Sequence, residues 1–448
     1  MNPKEFLLQE CENVRATLQD VLRHDYAAGS SEEFYNEFCV RLALLESLIQ
    51  PADPSDVSEL GTFAEEISLL STLVHHMERS HAGEFPWPFM EYLQALATPL
   101  CKEDLADKAG EPIIRVYAEG GLDTYQINLE NDLSVLNIDR RIFTIVFPRT
   151  LRHHVLLHAI FGHEIGHAAW TIPKHRVDLL DKVLGPLRAS GPLNSTSQAT
   201  AWLRKTDAPA PIVELRNQYV DDEYTVIKRN QLDSWFQEFM CDLFGLVTFG
   251  GSFLAAHQTL LLALDPTGYR WGPYHPPYAC RKAMLWRACR HLKWHEFPAS
   301  VTDAKLRGNI ETFLSTYSGA TLGPWEDIFT DAQVAAAVDA LIPILSGAGT
   351  SCFAMPAEEE LLSLVRMLRE EIPPCGSDLS GSPTPANRNV DFRHILLAGW
   401  LVADELAAQG NAAGKHGYFL ELNKLCEMGL LQQRAIDRFN AYKAGGES

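Results

Sequence analysis

The sequence contains no run of lysine or arginine and is short of positive charge overall. Its 448 residues carry 38 basic against 58 acidic side chains, a formal net charge of −20. Such a surface repels phosphate backbones and anionic headgroups, which argues against nucleic acid and against a membrane surface as partners. The nine cysteines form no CxxC pair and show no disulfide-like spacing between Cys11 and Cys426. Reduced thiols in a cytoplasmic setting are therefore expected. The opening "MNPKEFLLQECENVRATLQD" is charged and amphipathic, without an apolar h-region or a small-residue cleavage site, so no secretory leader is read in it. No internal repeat is found. One uncharged stretch, Leu243 to Leu264, approaches a membrane span in length. Gly250, Gly251, Ser252, His257 and Gln258 interrupt it, and a buried helix, or two helices broken at the glycines, is expected instead.

Hydrophobic residues make up 46% of the chain, enough to fill sizeable cores. Residues 1–108 read as helices, with apolar residues at three-to-four spacing in "EEFYNEFCVRLALLESLIQ" and "FAEEISLLSTLVHHMERS". The texture then changes. "EPIIRVYAEG", "TYQINL" and "RIFTIVFP" are rich in Ile, Val, Tyr, Phe and Thr and predict a small sheet. Pro148 closes the last of these runs, and a helical pattern is expected from about Thr150. Residues 189–212 are heavy in Ser, Thr, Ala, Gly and Pro and predict an exposed, mobile loop. Residues 373–389, "PPCGSDLSGSPTPANRN", predict an internal disordered loop. Beyond about residue 300 the pattern is again helical. The expected fold is mostly α with a small sheet (α+β), divided into an N-terminal helical region 1–108, a core 109–300 and a C-terminal helical region 301–448.

Within that core lies "FGHEIGHAAW", residues 161–170. On a helix, residues four apart lie about 40° apart around the axis, so His163 and His167 project from one face. Two neutral imidazoles on successive turns suit one Zn²⁺, and Glu164, beside the first, is placed to take a proton from an attacking water. Gly162 and Gly166 each cost a helix about 1 kcal/mol against alanine. Their presence is expected to leave room for a metal and a substrate strand. "WFQEFMCDLFG" adds Glu238 and Asp242, again four apart on one helix face and set among aromatic residues where unpaired acids are rare. Glu238 can complete a metal shell while Asp242 accepts the second ring N–H of a ligating histidine. Cys241, next to Asp242, reads as a small buried hydrophobe. Two other histidine pairs, His154/His158 and His291/His295, are expected to be structural.

Further on, "HPPYACR" spans His275 to Arg281. With HExxH and the later ExxxD, this HPxxxxR segment makes the chain resemble the gluzincin metallopeptidases of the HtpX, prenyl-CAAX-protease and Oma-type family, over about residues 150–285. The resemblance implies a zincin-like core with His163, His167 and Glu238 as zinc ligands and Glu164 as general base. Asp242 would then orient a ligand. Arg281 cannot coordinate, because a guanidinium stays protonated, and is expected to pair with a carboxylate or carbonyls near the ligand helix. Tyr274, His275 and Tyr278 are candidate donors to an oxyanion, and the sequence does not choose among them.

The expected activity is that of a soluble intracellular zinc endopeptidase acting on a protein or peptide; a further reading has the helical flanks gate a latent protease until an activating partner or small ligand binds. The alternative is a regulatory or interaction protein whose zinc site is structural or silent. A glutamate beside the first histidine and a ligand count of three, which leaves one position open, favour the enzyme.

Overall fold

The structure is a computed structural model and describes residues 2–24, 31–79, 85–102, 113–118, 120, 125–130, 142–195, 197–198, 201, 229–268, 274–318, 328–377, 388–408 and 415–445. The first helix, α1 (Pro3–Val21), starts at a capping box. The Asn2 side chain accepts from the Glu5 backbone N–H while Glu5 reaches back to the Asn2 N–H. Asp56 caps α3 (Val57–Glu78) in the same spirit, accepting from the N–H groups of Ser58 and Glu59. With α2 (Ser31–Ile49), these helices bury one stripe each, including Leu7, Val14, Phe34, Phe38, Leu42, Ile67, Leu70 and Val74, in a common core. Helix α4 (Trp87–Lys102) follows.

Three strands come next: β1 (Ile113–Ala118), β2 (Gln126–Glu130) and β3 (Ile142–Phe147), ordered β1-β3-β2. β3 lies parallel to β1, with Val116 opposite Ile145, and antiparallel to β2, with Ile127 opposite Ile145. A central strand covered on both faces needs apolar residues without alternation. Phe143 to Phe147 are accordingly all buried.

The chain divides once, into Met1–Arg152 and His153–Ser448. The sequence boundaries near 108 and 300 differ from this. The sheet goes with the N-terminal helices, because β1 packs against α3. The helices beyond residue 300 form one unit with the HExxH segment, because they hold its entry. Leu156 donates its N–H to Asn423 Oδ1 at 3.0 Å and accepts at its carbonyl from Trp400 Nε1 at 3.1 Å.

That second unit contains α5 (Phe161–Thr171), α6 (Pro173–Asp178) running through a π turn into α7 (Leu184–Arg188), α8 (Arg229–Phe249), α9 (Gly251–Leu264) and α10 (Tyr278–His291). After them come the short α11 (Phe297–Ser300), α12 (Ala304–Ser315), α13 (Asp331–Ala348), α14 (Glu358–Arg369), α15 (Phe392–Ala408) and α16 (Lys415–Gly445). The helix expected from Thr150 begins only at Phe161, after two 3-10 turns at Arg149–Leu151 and Leu157–Ile160. His154 and His158 therefore do not share a continuous helix with His163.

The Leu243–Leu264 stretch is two helices broken at Gly250, whose φ of +63° suits glycine and whose Cα is covered by the Phe353 ring. Among the described residues one helix, α13, is long and apolar enough to cross a membrane by length and composition. Its Val334, Ala337, Val338, Leu341 and Leu345 are buried, and its Asp331 pairs with Arg287 and Arg290.

The two loops expected from composition are held at their described ends. Ser190 and Leu193 are buried, with the Ser190 hydroxyl donating to the Ile328 carbonyl; most of 196–212 lies outside the described residues. In 373–389, Gly376 donates to Gln433 Oε1 and accepts from the Arg388 N–H, so both edges sit against α16. Residues 378–387 lie outside the described residues.

Candidate metal centre

The centre forms where α5 crosses α8, the most extensive helix pairing in its unit. Glycines set the distance between the two axes. A Cβ at Gly162 would lie 2.7 Å from the Gly245 Cα, and one at Gly166 would lie 2.9 Å from the Cys241 Cα. These glycines therefore do not open space for a metal or a substrate strand, as their composition suggested; they face the neighbouring helix and admit its backbone. The histidine face is adjacent to this glycine face, so close approach of the backbones is what lets the carboxylates of α8 reach it.

A consequence is measurable. Gly162→Ala gains about 1 kcal/mol of helix propensity but meets backbone, where overpacking costs typically about 1–3 kcal/mol. A net loss of stability in thermal unfolding is expected. Gly308→Ala, in the middle of α12 with nothing within 4 Å of the added methyl, is the control and should stabilise. Equal gains at both positions would show that the helices are not in tight contact.

His163 Nε2 and His167 Nε2 lie 3.0 Å apart. Glu238 places Oε2 at 3.5 Å from the first and Oε1 at 3.2 Å from the second. Cys241 also adjoins the pair: one ligand atom from each of His163, His167 and Cys241 lies within 4.8 Å of the others, a group that could hold a metal ion. Glu164 is only partly buried. Burial among the walls of the site raises its pKa, opposed by the charges of His163 and His167.

Behind the histidines lies a network of buried charge. Asp242 Oδ1 accepts from His163 Nδ1 at 2.9 Å, and Arg281 forks onto the same carboxylate with Nε at 2.7 Å and Nη2 at 2.6 Å. Arg281 Nη1 stands 3.3 Å from Glu238 Oε2, bridging the two acids. Burial alone would raise the Asp242 pKa; the Arg281 charge, with the hydrogen bonds from Arg281 and His163, outweighs it and holds the carboxyl well below the usual carboxylate range. Glu238 is likewise held low, burial being overcome by the His163 charge and hydrogen bonds from both histidines. Burial works against a proton on His163, yet the Glu238 charge and the bonds to Asp242 and Glu238 bring its pKa up to about 10. Without a metal, this ring is the cation that its two carboxylate neighbours require.

Removing one partner of such a set leaves an uncompensated buried charge. Arg281→Met is expected to cost about 3–5 kcal/mol in denaturant unfolding of the metal-free protein. A loss below about 1 kcal/mol would place the fork among the surface-like ion pairs.

Of the three candidate donors, His275 borders the cluster, its exposed ring carrying Nε2 4.0 Å from Glu238 Oε1. Tyr278 is buried and commits its hydroxyl to Gln258 Oε1 at 2.8 Å; Tyr274 is exposed. The His291/His295 pair lies apart from the cluster's contacts, His291 bonding Asp339 at 2.7 Å.

Two residues at the site have no counterpart in the sequence reading. His257 of α9 brings Nε2 to 3.1 Å from Asp242 Oδ1, and burial lowers its pKa to about 4, so it stays neutral. Gln237 brings its amide nitrogen to 3.2 Å from His167 Nδ1. A histidine within the mostly apolar "FLAAHQTLLL" was the signal for the former. No protein-family model, curated protein or solved structure matches the chain. The chemistry of the centre must therefore be read from its own side chains.

Proposed function

We propose that the chain is a cytoplasmic zinc endopeptidase of the gluzincin type, with His163, His167 and Glu238 as ligands and Glu164 as general base. One observation carries this. A tetrahedral ion with bonds of 2.0–2.1 Å separates its ligand atoms by about 3.3 Å; here the two Nε2 atoms stand 3.0 Å apart, and the Glu238 carboxylate brings Oε1 to 3.2 Å from one and Oε2 to 3.5 Å from the other. Two imidazoles and a carboxylate are a donor set that suits zinc. Glu238 fits better than Cys241 as third ligand. Glu238 faces both Nε2 atoms and is held ionised by its cationic neighbours, while burial raises the Cys241 thiol pKa well above its ordinary value. Sulfur also sits against Gly166, on the packing side of the helix.

Zinc in this set would polarise a scissile carbonyl as a Lewis acid. The chain's own groups supply the rest. Glu164, with its raised pKa, can accept a proton from the attacking water and return it to the leaving amine. His275, exposed at the edge of the cluster, can donate to the developing oxyanion. His167 is the more exposed of the two histidines, its side chain 29% accessible against 7% for His163, so a substrate carbonyl approaches from that side. Asp242 fixes the His163 ring and Arg281 keeps Asp242 ionised.

The test is cleavage of fluorescently labelled casein by protein incubated with zinc. Activity is expected to vanish with a chelator and return on adding zinc back. A purified chain that takes up no zinc from micromolar excess removes the proposal.

A further inference from the structure

We infer that Gln237 is the positioning residue for His167, the counterpart of Asp242 for His163; this rests on the metal centre proposed above. Both histidines turn Nε2 toward the same point, 3.0 Å apart. Each therefore turns Nδ1 away, and each Nδ1 meets a side chain of α8: Asp242 for His163 at 2.9 Å, and Gln237 for His167 at 3.2 Å. Gln237 and Glu238 are consecutive, so about 100° of helical turn separates them, and the two side chains grip opposite edges of one imidazole. Glu238 Oε1 lies 3.2 Å from Nε2 and Gln237 lies on Nδ1.

The Gln237 amide nitrogen stands 3.2 Å from His167 Nδ1, where an amide N–H can only donate. A metal needs the Nε2 lone pair, and a neutral imidazole then carries its proton on Nδ1. The partner at Nδ1 must then accept. Glutamine can do both, because a half-turn of its amide exchanges N–H for carbonyl oxygen. A metal on Nε2 would leave the His167 proton on Nδ1, and a half-turn of the Gln237 amide would let its oxygen accept there. Aspartate at Asp242 cannot make that exchange, since an ionised carboxylate only accepts. His167 Nδ1 thus meets a neutral amide where His163 Nδ1 meets the Asp242 carboxylate.

The experiment is zinc affinity by competition with a chromophoric chelator, at fixed pH, for wild type, Gln237→Leu, Gln237→Glu and Glu238→Ala. Loss of an outer partner of a metal-bound histidine typically costs about 10–100-fold in affinity. Gln237→Leu is expected to fall in that range, and Gln237→Glu, which keeps an acceptor, to bind at least as tightly as wild type. Should leucine unfold the protein, Gln237→Met repeats the test. Leucine within threefold of wild type, or leucine and glutamate equally weakened, overturns the role of Gln237 while Glu238→Ala still loses zinc. If Glu238→Ala binds as tightly as wild type, the ligand set itself is wrong and this inference falls with it.

Discussion

Glu164→Gln is expected to keep its zinc and its fold and to lose hydrolysis. The amide matches the carboxylate in size, so the walls around it need not move. It cannot take a proton from the attacking water, and the general-base contribution, typically about 10²–10⁴-fold, disappears. Metal content should equal that of wild type, because both Glu238 and the two imidazoles remain in place. The measurement pairs casein hydrolysis with elemental analysis of the same preparation. A variant that cleaves at the wild-type rate would remove Glu164 from the mechanism. A variant that loses zinc would make Glu164 a ligand, and its neighbour Glu238 would need another explanation.

The second large effect separates two chemistries for the third ligand. Glu238→Ala is expected to lose most of its zinc, as are His163→Ala and His167→Ala, while Cys241→Ser keeps about one equivalent per chain. Wild type loaded with cobalt should show no sulfur-to-metal charge-transfer band, since nitrogen and oxygen alone would surround the ion. The reverse pattern, with zinc held by Glu238→Ala and lost by Cys241→Ser, would replace the carboxylate with a thiolate and leave Glu238 as the partner of Arg281.

What could be read from sequence followed the reach of helical periodicity. His163 with His167, and Glu238 with Asp242, share faces because each pair is four apart, and the structure brings the two faces together. The three strands were visible as β-branched and aromatic runs, and the break at Gly250 as a pair of glycines. Contacts between distant segments were not legible. Gly162 and Gly166 have the same letters whether they face a metal or a helix, and only the partner's position, at Gly245 and Cys241, decides. His257 reaches Asp242 from another helix, with no spacing rule to announce it. The domain boundaries differed for the same reason. Leu156 is tied to Trp400 and Asn423, and hydrogen bonds across so much chain leave no local trace.

That tie also orders events in time. The ligand-bearing helix α5 leaves the ribosome early, but the Asn423 side chain that holds the N–H of Leu156, just ahead of it, is made roughly 250 residues later. At about 5–20 residues per second the interval is roughly ten to fifty seconds. During it the nascent chain carries His163 and His167 on a helix whose entry lacks this anchor. Until Asn423 is made, the helix that bears both histidines folds without the partner that fixes the N–H just ahead of it.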